Sequence, residues 1–302
     1  MSIQIMKPFL KWVGGKTQMI GTLMSKFPKE MENYHELFLG GGSVLFALLS
    51  YIQQKKIKIE GKIYAYDINT SLINVYKQIQ TNPSDVLKYI ELYKNEYSKI
   101  TNLKGDRQVE TKKDALLSKE SYYYWQRNNY NKTPPNSPLS AALFIFLNKT
   151  CFRGMYREGP NGFNVPFGHY KTTPLFITKD KIKTINKSIQ NVIFVNCDFS
   201  KSITNCLPGD FVYMDPPYAP ETKTSFVGYT KKGFNTEMHS KLFKDIKKLH
   251  NKKIKFIMSN AKVSLVMDTF KSASFQKEDI LARRAINSKN PSAKTTEIII
   301  YN

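Results

Sequence analysis

The chain has 302 residues, 41% of them hydrophobic and 13% aromatic, which is material for a sizeable core and excludes a globally disordered polypeptide. Its 46 Lys and Arg against 24 Asp and Glu leave a net charge of +22, the balance of a protein that meets a polyanion, either nucleic acid or an anionic membrane surface. Apolar runs such as Leu143–Leu147 are too short to span a bilayer, and the N-terminus lacks the long apolar stretch of a signal peptide.

The first informative stretch is "KWVGGKT", Lys11–Thr17, whose last residues could close a phosphate-binding P-loop. That loop needs a glycine five residues before its Gly-Lys pair, so that backbone amides can wrap phosphates. Leu10 stands there, and Phe9 and Trp12 are also too bulky. Next, "YHELF" (Tyr34–Phe38) predicts a buried strand, "LGGGS" breaks it, "VLFALLSYI" predicts a helix, and "GKIYAYDIN" predicts a strand ending at Asp67. Strand, glycine turn, helix, strand and acid in that order begin a Rossmann-like α/β sheet.

From residue 71 to 173 the character changes. "NPSDVLKYIELYKNEYSKI" predicts a helix with Pro83 near its start, Leu103–Lys119 reads as a charged, mobile connection, and "ESYYYWQRNNYN" predicts a helix ended by "TPPNSP". "LSAALFIFLNKT" predicts an apolar helix, and "CFRGMYREGPNGFNVPFGHYK" an exposed loop or hairpin. The α/β rhythm returns in "NVIFVNCDF", "DFVYMDPPY", "KLFKDIKKLH", "KIKFIMSN" and "TEIIIYN". The sequence therefore predicts a discontinuous domain, 1–70 with 174–302, interrupted by a mainly helical insertion, 71–173. Cys151, Cys197 and Cys206 lack C-x-x-C spacing, and the four histidines lack metal-ligand spacing, so free thiols, an intracellular setting and no metal site are expected.

The chemistry concentrates in "MDPPYA". An apolar strand running into Asp215-Pro216-Pro217-Tyr218 places a carboxylate, a rigid turn and an aromatic ring at the carboxyl end of a sheet strand, where open α/β sheets bind ligands. Two prolines fix the backbone and leave carbonyls to accept hydrogen bonds. An exocyclic amine of a nucleobase has two N–H groups to give. Asp215 and the carbonyl of Pro216 can accept them while Tyr218 stacks on the ring.

These motifs, in this order, resemble the Dam-type (D12 class, alpha group) DNA adenine-N6 methyltransferases. "FLKWVGGK", "ELFLGGGS", "YAYDIN", "DPPY", "FNVPFGHYK" and "RRAI…EIIIYN" match along nearly the whole chain. The resemblance implies S-adenosylmethionine (SAM) as cofactor and double-stranded DNA as substrate. Phe38 and the loop Gly40-Gly41-Gly42 would approach the donor closely, and Asp67 would accept from its ribose. Asp198 is either an acceptor for the donor's adenine or simply solvent-exposed. Trp12 would offer an apolar wall, and Lys16 a charge for the donor's carboxylate or for the acids nearby. The donor carries an activated methyl, so neither metal nor covalent enzyme intermediate is required. An adenine amine inside a duplex is unreachable, which implies base flipping onto Tyr218.

For DNA, the resemblance makes Arg157 the base reader, with Lys11 a second. It puts Phe152, Arg153 and Met155 at the duplex wedge, Pro166 and Tyr170 in the base-contact segment, and Arg127 on phosphate. It points to a GATC-like site and leaves room for a cognate restriction endonuclease. Arg153 stands where relatives often have asparagine, "EGPNG" departs in length and composition, and Leu103–Lys119 is long for the family, so a different site is open. A cytosine-N4 enzyme is the nearest competitor, disfavoured because such relatives more often begin the DPPY position with serine. A DNA-binding module without catalysis would not keep the three motifs intact. An NAD enzyme would need the third glycine of G-x-G-x-x-G and would leave the charge unexplained.

Overall fold

Short apolar runs alternating with helical stretches build one central sheet in a computed structural model that describes residues 3–220, 233–283 and 294–302. Its strands are β1 (Tyr34–Glu36), β2 (Ile63–Asp67), β3 (Val192–Asn196), β4 (Phe211–Met214), β5 (Lys255–Ala261), β6 (Gln276–Arg283) and β7 (Lys294–Tyr301). They lie in the order β6-β7-β5-β4-β1-β2-β3. The five from β5 to β3 are parallel, and β7 and β6 add an antiparallel pair at one edge. This is the α/β sheet that the sequence predicts. The arginine run of the "RRAI" motif from Arg284 onward lies outside the described residues.

Glu36 of β1 sits beside Tyr213 of β4 and Ala65 of β2, so the carboxyl ends of these three strands come into line. The glycine loop, Asp67 and Asp215 therefore emerge at one edge of the sheet. One sheet face is covered by the helix Thr236–Asn251, which starts at Asn235, whose side chain accepts from Met238 N. Leu242, Phe243, Ile246 and Leu249 recur at helical spacing and pack against Val212, Met214, Phe256, Met258, Ile298 and Ile300. Truncating fully buried Leu242 to alanine would cost about 2–5 kcal/mol by leaving a cavity. No helix among the described residues is long and apolar enough to cross a membrane.

The chain divides into two compact units. The first holds the sheet, from the N-terminal stretch up to Lys7, Gly14–Ile68 and Asn191–Asn302; the second holds Pro8–Val13 and Asn69–Gln190. The second contains the helices Thr70–Thr81, Pro83–Lys99, Lys119–Lys132, Pro138–Thr150 and Lys179–Ser188. Pro138–Thr150 runs through its middle, with every residue from Ser140 to Asn148 buried. It begins with Pro138 at its first position and Ser137 accepting from Ser140 N, two features that suit a helix start. Tyr97, Tyr122 and Phe176 surround Phe146 in ring contacts.

Leu103–Lys119, expected as a mobile connection, is pinned instead. Arg107 pairs with buried Glu120 at 2.9 Å, Lys119 N donates to Asn102 O, and Lys112–Ala115 forms a short helix. Arg107 and Lys112 find acidic partners within the unit, Glu120 and Glu96, which composition alone does not reveal. The "CFRG…HYK" stretch is a small hairpin, Glu158–Gly159 against Gly162–Phe163, but it is not wholly exposed: Phe163, Val165 and Phe167 are buried.

Candidate active site

The glycine loop follows β1 because three glycines cannot continue a strand. Gly40 and Gly42 adopt left-handed φ of 51° and 71°, where a side chain is strained, and Gly42 caps the helix Ser43–Gln53. Asp67, at the end of β2, takes Gly40 N onto its carboxylate at 2.9 Å. The predicted ribose acceptor thus also holds the loop. Phe38 stacks on Phe199 at 5.7 Å and meets Phe234 edge-on, forming an aromatic patch beside Asp198. The Asp198 carboxylate accepts from Ser200 N at 2.8 Å as a helix cap. Ile68, next to Asp67, is exposed.

The DPPY turn emerges from β4 and is held from four sides. Lys16 Nζ sits 2.8 Å from Asp215 Oδ2, donates to Gly14 O at 2.6 Å, and lies 4.9 Å from the Tyr218 ring centroid. His239 lies between two carbonyl acceptors, with Nε2 2.9 Å from Pro217 O and Nδ1 2.9 Å from Asn235 O, and a neutral ring donates to one of them at a time. Asn260 Oδ1 takes Ala219 N at 2.9 Å, and the Tyr218 hydroxyl donates to Glu297 Oε2 at 2.5 Å. Among the described residues, Asp215 Oδ1 and Asn260 Nδ2 are buried without a hydrogen-bond partner. An unpaired acceptor at the end of a sheet strand is costly in a folded protein and is therefore a candidate for a ligand donor.

Electrostatically the site opposes the rest of this basic chain. Burial pushes the Asp215 carboxyl up to about 6, against the pull of Lys16, and Glu297 raises it further. Burial likewise pushes Glu36 up to about 8, with Asp215 and Asp67 adding to the rise and the Tyr34 hydroxyl opposing it. Glu36 is therefore largely protonated at neutral pH. Desolvation wins in both cases because charge is poorly stabilised away from water. Asp67, Asp215 and Glu297 gather negative charge beside one lysine, a field suited to a cationic ligand. No group of three or more metal-ligating side chains occurs among the described residues.

The remaining predicted residues belong to the second unit. Trp12 stacks on Phe144 at 6.3 Å and on Tyr156 at 5.8 Å. Asn148, buried, ties the Lys11 backbone to the hairpin: it accepts from Lys11 N at 2.9 Å and donates to the carbonyls of Lys11 and Gly154. Lys11 Nζ lies 4.7 Å from the Tyr170 ring, whose hydroxyl donates to Cys151 O. Arg157 is exposed, and its guanidinium donates to Asn164 Oδ1 at 2.7 Å and to Asn164 O at 3.2 Å. Exposed Phe152 carries Arg153 over its ring, and Pro166 O holds Phe152 N at 2.8 Å. Arg153 adopts a left-handed φ of 56°, and Met155 N closes the turn onto Phe152 O. Arg127 is half-buried, 4.5 Å over the Tyr124 ring and directed at Val165 O. The structure thus brings Lys11, Phe152, Arg153, Met155, Pro166 and Tyr170 to one hairpin base.

Sequence reasoning missed Glu36, His239, Asn260 and Glu297. Glu36 and Glu297 both stand inside quoted motifs, "ELFLGGGS" and "EIIIYN", and a carboxyl in an apolar strand is their available signal. His239 and Asn260 sit on a helix and a strand far along the chain from Asp215, and nothing in their spacing marks them.

An α/β sheet with a glycine loop, an acid on the neighbouring strand, and an Asp-Pro-Pro-Tyr turn with an unpaired buried acceptor is the arrangement on which comparison with known proteins bears. The family profile of D12 class N6 adenine-specific DNA methyltransferase matches residues 12–286, and the chain belongs to that family. It is 34% identical to "Type II methyltransferase M.MjaIII" of Methanocaldococcus jannaschii, over 98% of this chain and 99% of that one. It is 31% identical to "Type II methyltransferase M1.LlaDCHI" of Lactococcus lactis subsp. cremoris, over 98% and 95%. A "DNA adenine methylase" of Haemophilus influenzae is 30% identical, over 97% and 92%. The protein is a DNA adenine methyltransferase.

Proposed function

We propose that the protein takes its methyl group from S-adenosylmethionine and transfers it to N6 of an adenine flipped out of duplex DNA, with the mainly helical second unit reading the sequence around it. The observation that carries this reading is the buried, unpartnered Oδ1 of Asp215 at the carboxyl end of β4.

The first unit's residues fit the donor. Asp67 is an acceptor for a ribose hydroxyl, Phe38 and Ile68 offer apolar surface to an adenine, Gly40 and Gly42 allow close backbone approach, and the carboxylates suit a cation. Bound there, SAM supplies a methyl on a sulfonium, already activated for displacement. The protein's own task is the nucleophile. Adenine N6 shares its lone pair with the ring. Asp215 Oδ1 and the carbonyl of Pro216 accept hydrogen bonds from its two N–H groups, draw the nitrogen toward tetrahedral geometry and stabilise the positive charge that develops as the methyl–sulfur bond breaks. Tyr218 stacks on the extruded base. Lys16 keeps Asp215 ionised, and His239 and Asn260 fix the turn that carries the acceptors.

Lysines and arginines of the second unit meet phosphates, and exposed Arg157 and Lys11 reach base edges. A GATC-like target and an accompanying restriction endonuclease extend the reading, in keeping with the type II names of two relatives. The test is methyl transfer from labelled SAM to duplex DNA, followed by nucleoside analysis and sequencing. The expected product is N6-methyladenine, abolished in Asp215→Ala; label on cytosine, or undiminished turnover in that variant, would overturn the reading.

A further inference from the structure

The methyl-acceptor side of the site has a support that neither the motif pattern nor the family description assigns. It comes from the C-terminal strand β7. Glu297 lies opposite Ala261 of β5 and Ile280 of β6, so the sheet order brings it beside the DPPY turn. Its Oε2 accepts the Tyr218 hydroxyl at 2.5 Å. The Tyr218 ring is thereby fixed at both its ends. Its backbone is held by the neighbouring Asn260–Ala219 bond, and its hydroxyl by Glu297. The Lys16 ammonium, 4.9 Å from the centroid, covers one face of the ring.

We propose that Glu297 is a positioning residue for methyl transfer: it holds the Tyr218 ring in the plane on which the flipped adenine stacks, opposite the face covered by Lys16. This rests on the stacking role of Tyr218 given above. The physical case is one of geometry. A tyrosine ring at the end of a turn rotates about its side-chain bonds unless its distal end is fastened, and an in-line displacement tolerates little misplacement of the nucleophile, with errors near an ångström costing about 100-fold. A carboxylate accepting a phenolic hydroxyl is a strong fastening, because the acceptor is charged. Glu297 also acts on Asp215 directly through its charge, as it does on Tyr213 and Tyr218. The two effects are separable, because glutamine keeps an acceptor oxygen and loses the charge.

The experiment compares wild type, Glu297→Gln, Glu297→Ala, Tyr218→Phe and the Glu297→Ala/Tyr218→Phe double variant in single-turnover methylation of duplex DNA. SAM affinity and melting temperature are measured for each. If Glu297 works through the Tyr218 hydroxyl, the two single losses are alike, about tenfold in rate, and the double variant is no slower than either. SAM affinity stays within about twofold in this series. Glu297→Gln recovers most of the rate, while the acid limb of its pH profile moves downward because Asp215 has lost a neighbouring negative charge. A merely structural glutamate would lower the melting temperature without that pattern. Losses that multiply in the double variant, or Glu297→Ala within twofold of wild type, overturn the proposal. Should Glu297→Ala not fold, the rescue in Glu297→Gln and the loss in Tyr218→Phe decide it. A wild-type protein that leaves duplex adenine unmethylated instead removes the reading on which Tyr218 stacking stands.

Discussion

The ion pair between Lys16 and Asp215 makes the acid limb of catalysis predictable. On the proposed reading the Asp215 carboxylate must be ionised to accept from adenine N6, and it titrates at about 6 because burial outweighs the Lys16 ammonium 2.8 Å away. Replacing Lys16 with methionine keeps an unbranched chain of similar length and removes the charge. An opposite charge at this range moves a carboxyl by about one to three pH units, so the limb should rise by about two. At pH 7, a carboxylate titrating at about 6 is ionised in about nine molecules of ten. With the limb raised by that amount, about one in ten remains ionised. The expected loss of kcat/KM at pH 7 is therefore about tenfold, and it should vanish as the pH approaches 9. The assay is the pH profile of methyl transfer to a fixed duplex, with Lys16→Arg as the variant that keeps the charge. A loss equal at every pH would refute the reasoning and show that Lys16 serves the turn by packing alone.

Other consequences follow from the same geometry. Asp67→Ala removes both the proposed ribose acceptor and the partner of Gly40 N, so SAM affinity measured calorimetrically should fall about tenfold or more, with the melting temperature lower by a few degrees. Arg157→Ala should relax base choice at one position of the recognised site while leaving SAM affinity intact; sequencing of methylated sites checks it, and equal loss at all sequences would count against it. Glu36 holds a proton in the folded state up to about 8, whereas the unfolded chain releases it near 4.5. Its folded pKa is raised, so between those values the folded state binds the extra proton and stability falls as pH rises, by about 1.4 kcal/mol per pH unit at most. Glu36→Gln should flatten that slope, read by denaturant unfolding at pH 5 and pH 8; parallel curves for the two proteins would show that Glu36 is ionised throughout.

Part of this molecule is written locally. Strand, glycine loop, helix and acid follow from runs such as "YHELF" and "LGGGS", since backbone conformation answers to neighbours within a few residues. Asp-Pro-Pro-Tyr after an apolar strand already implied an acceptor pair and a ring, because two prolines leave the chain few alternatives. The strand β6, Gln276–Arg283, has no local signal, since a block of four polar residues, Gln276–Asp279, followed by only three apolar ones lacks the period of two and resembles a solvated loop. Leu103–Lys119 is largely exposed as its charge predicts, but its tie to the helix that follows has no local signal, because it depends on a buried Glu120 meeting the exposed Arg107.

What only the tertiary structure decided is how the Asp215 carboxylate is surrounded. Lys16 carries the family's motif, but composition could not say whether its charge meets the donor or the acid; the fold puts it on Asp215. His239, Asn260 and Glu297 carry no local sign of that partnership, since each reaches the DPPY turn through sheet order or the packing of one helix. Periodicity reports which face of an element is buried, and a hydrogen bond between distant elements depends on which elements become neighbours. The sequence by itself determined the chemistry, an acceptor turn beside a glycine loop in a basic protein. The fold decided the ionisation and alignment of that turn, because these depend on burial and on partners brought together from across the chain.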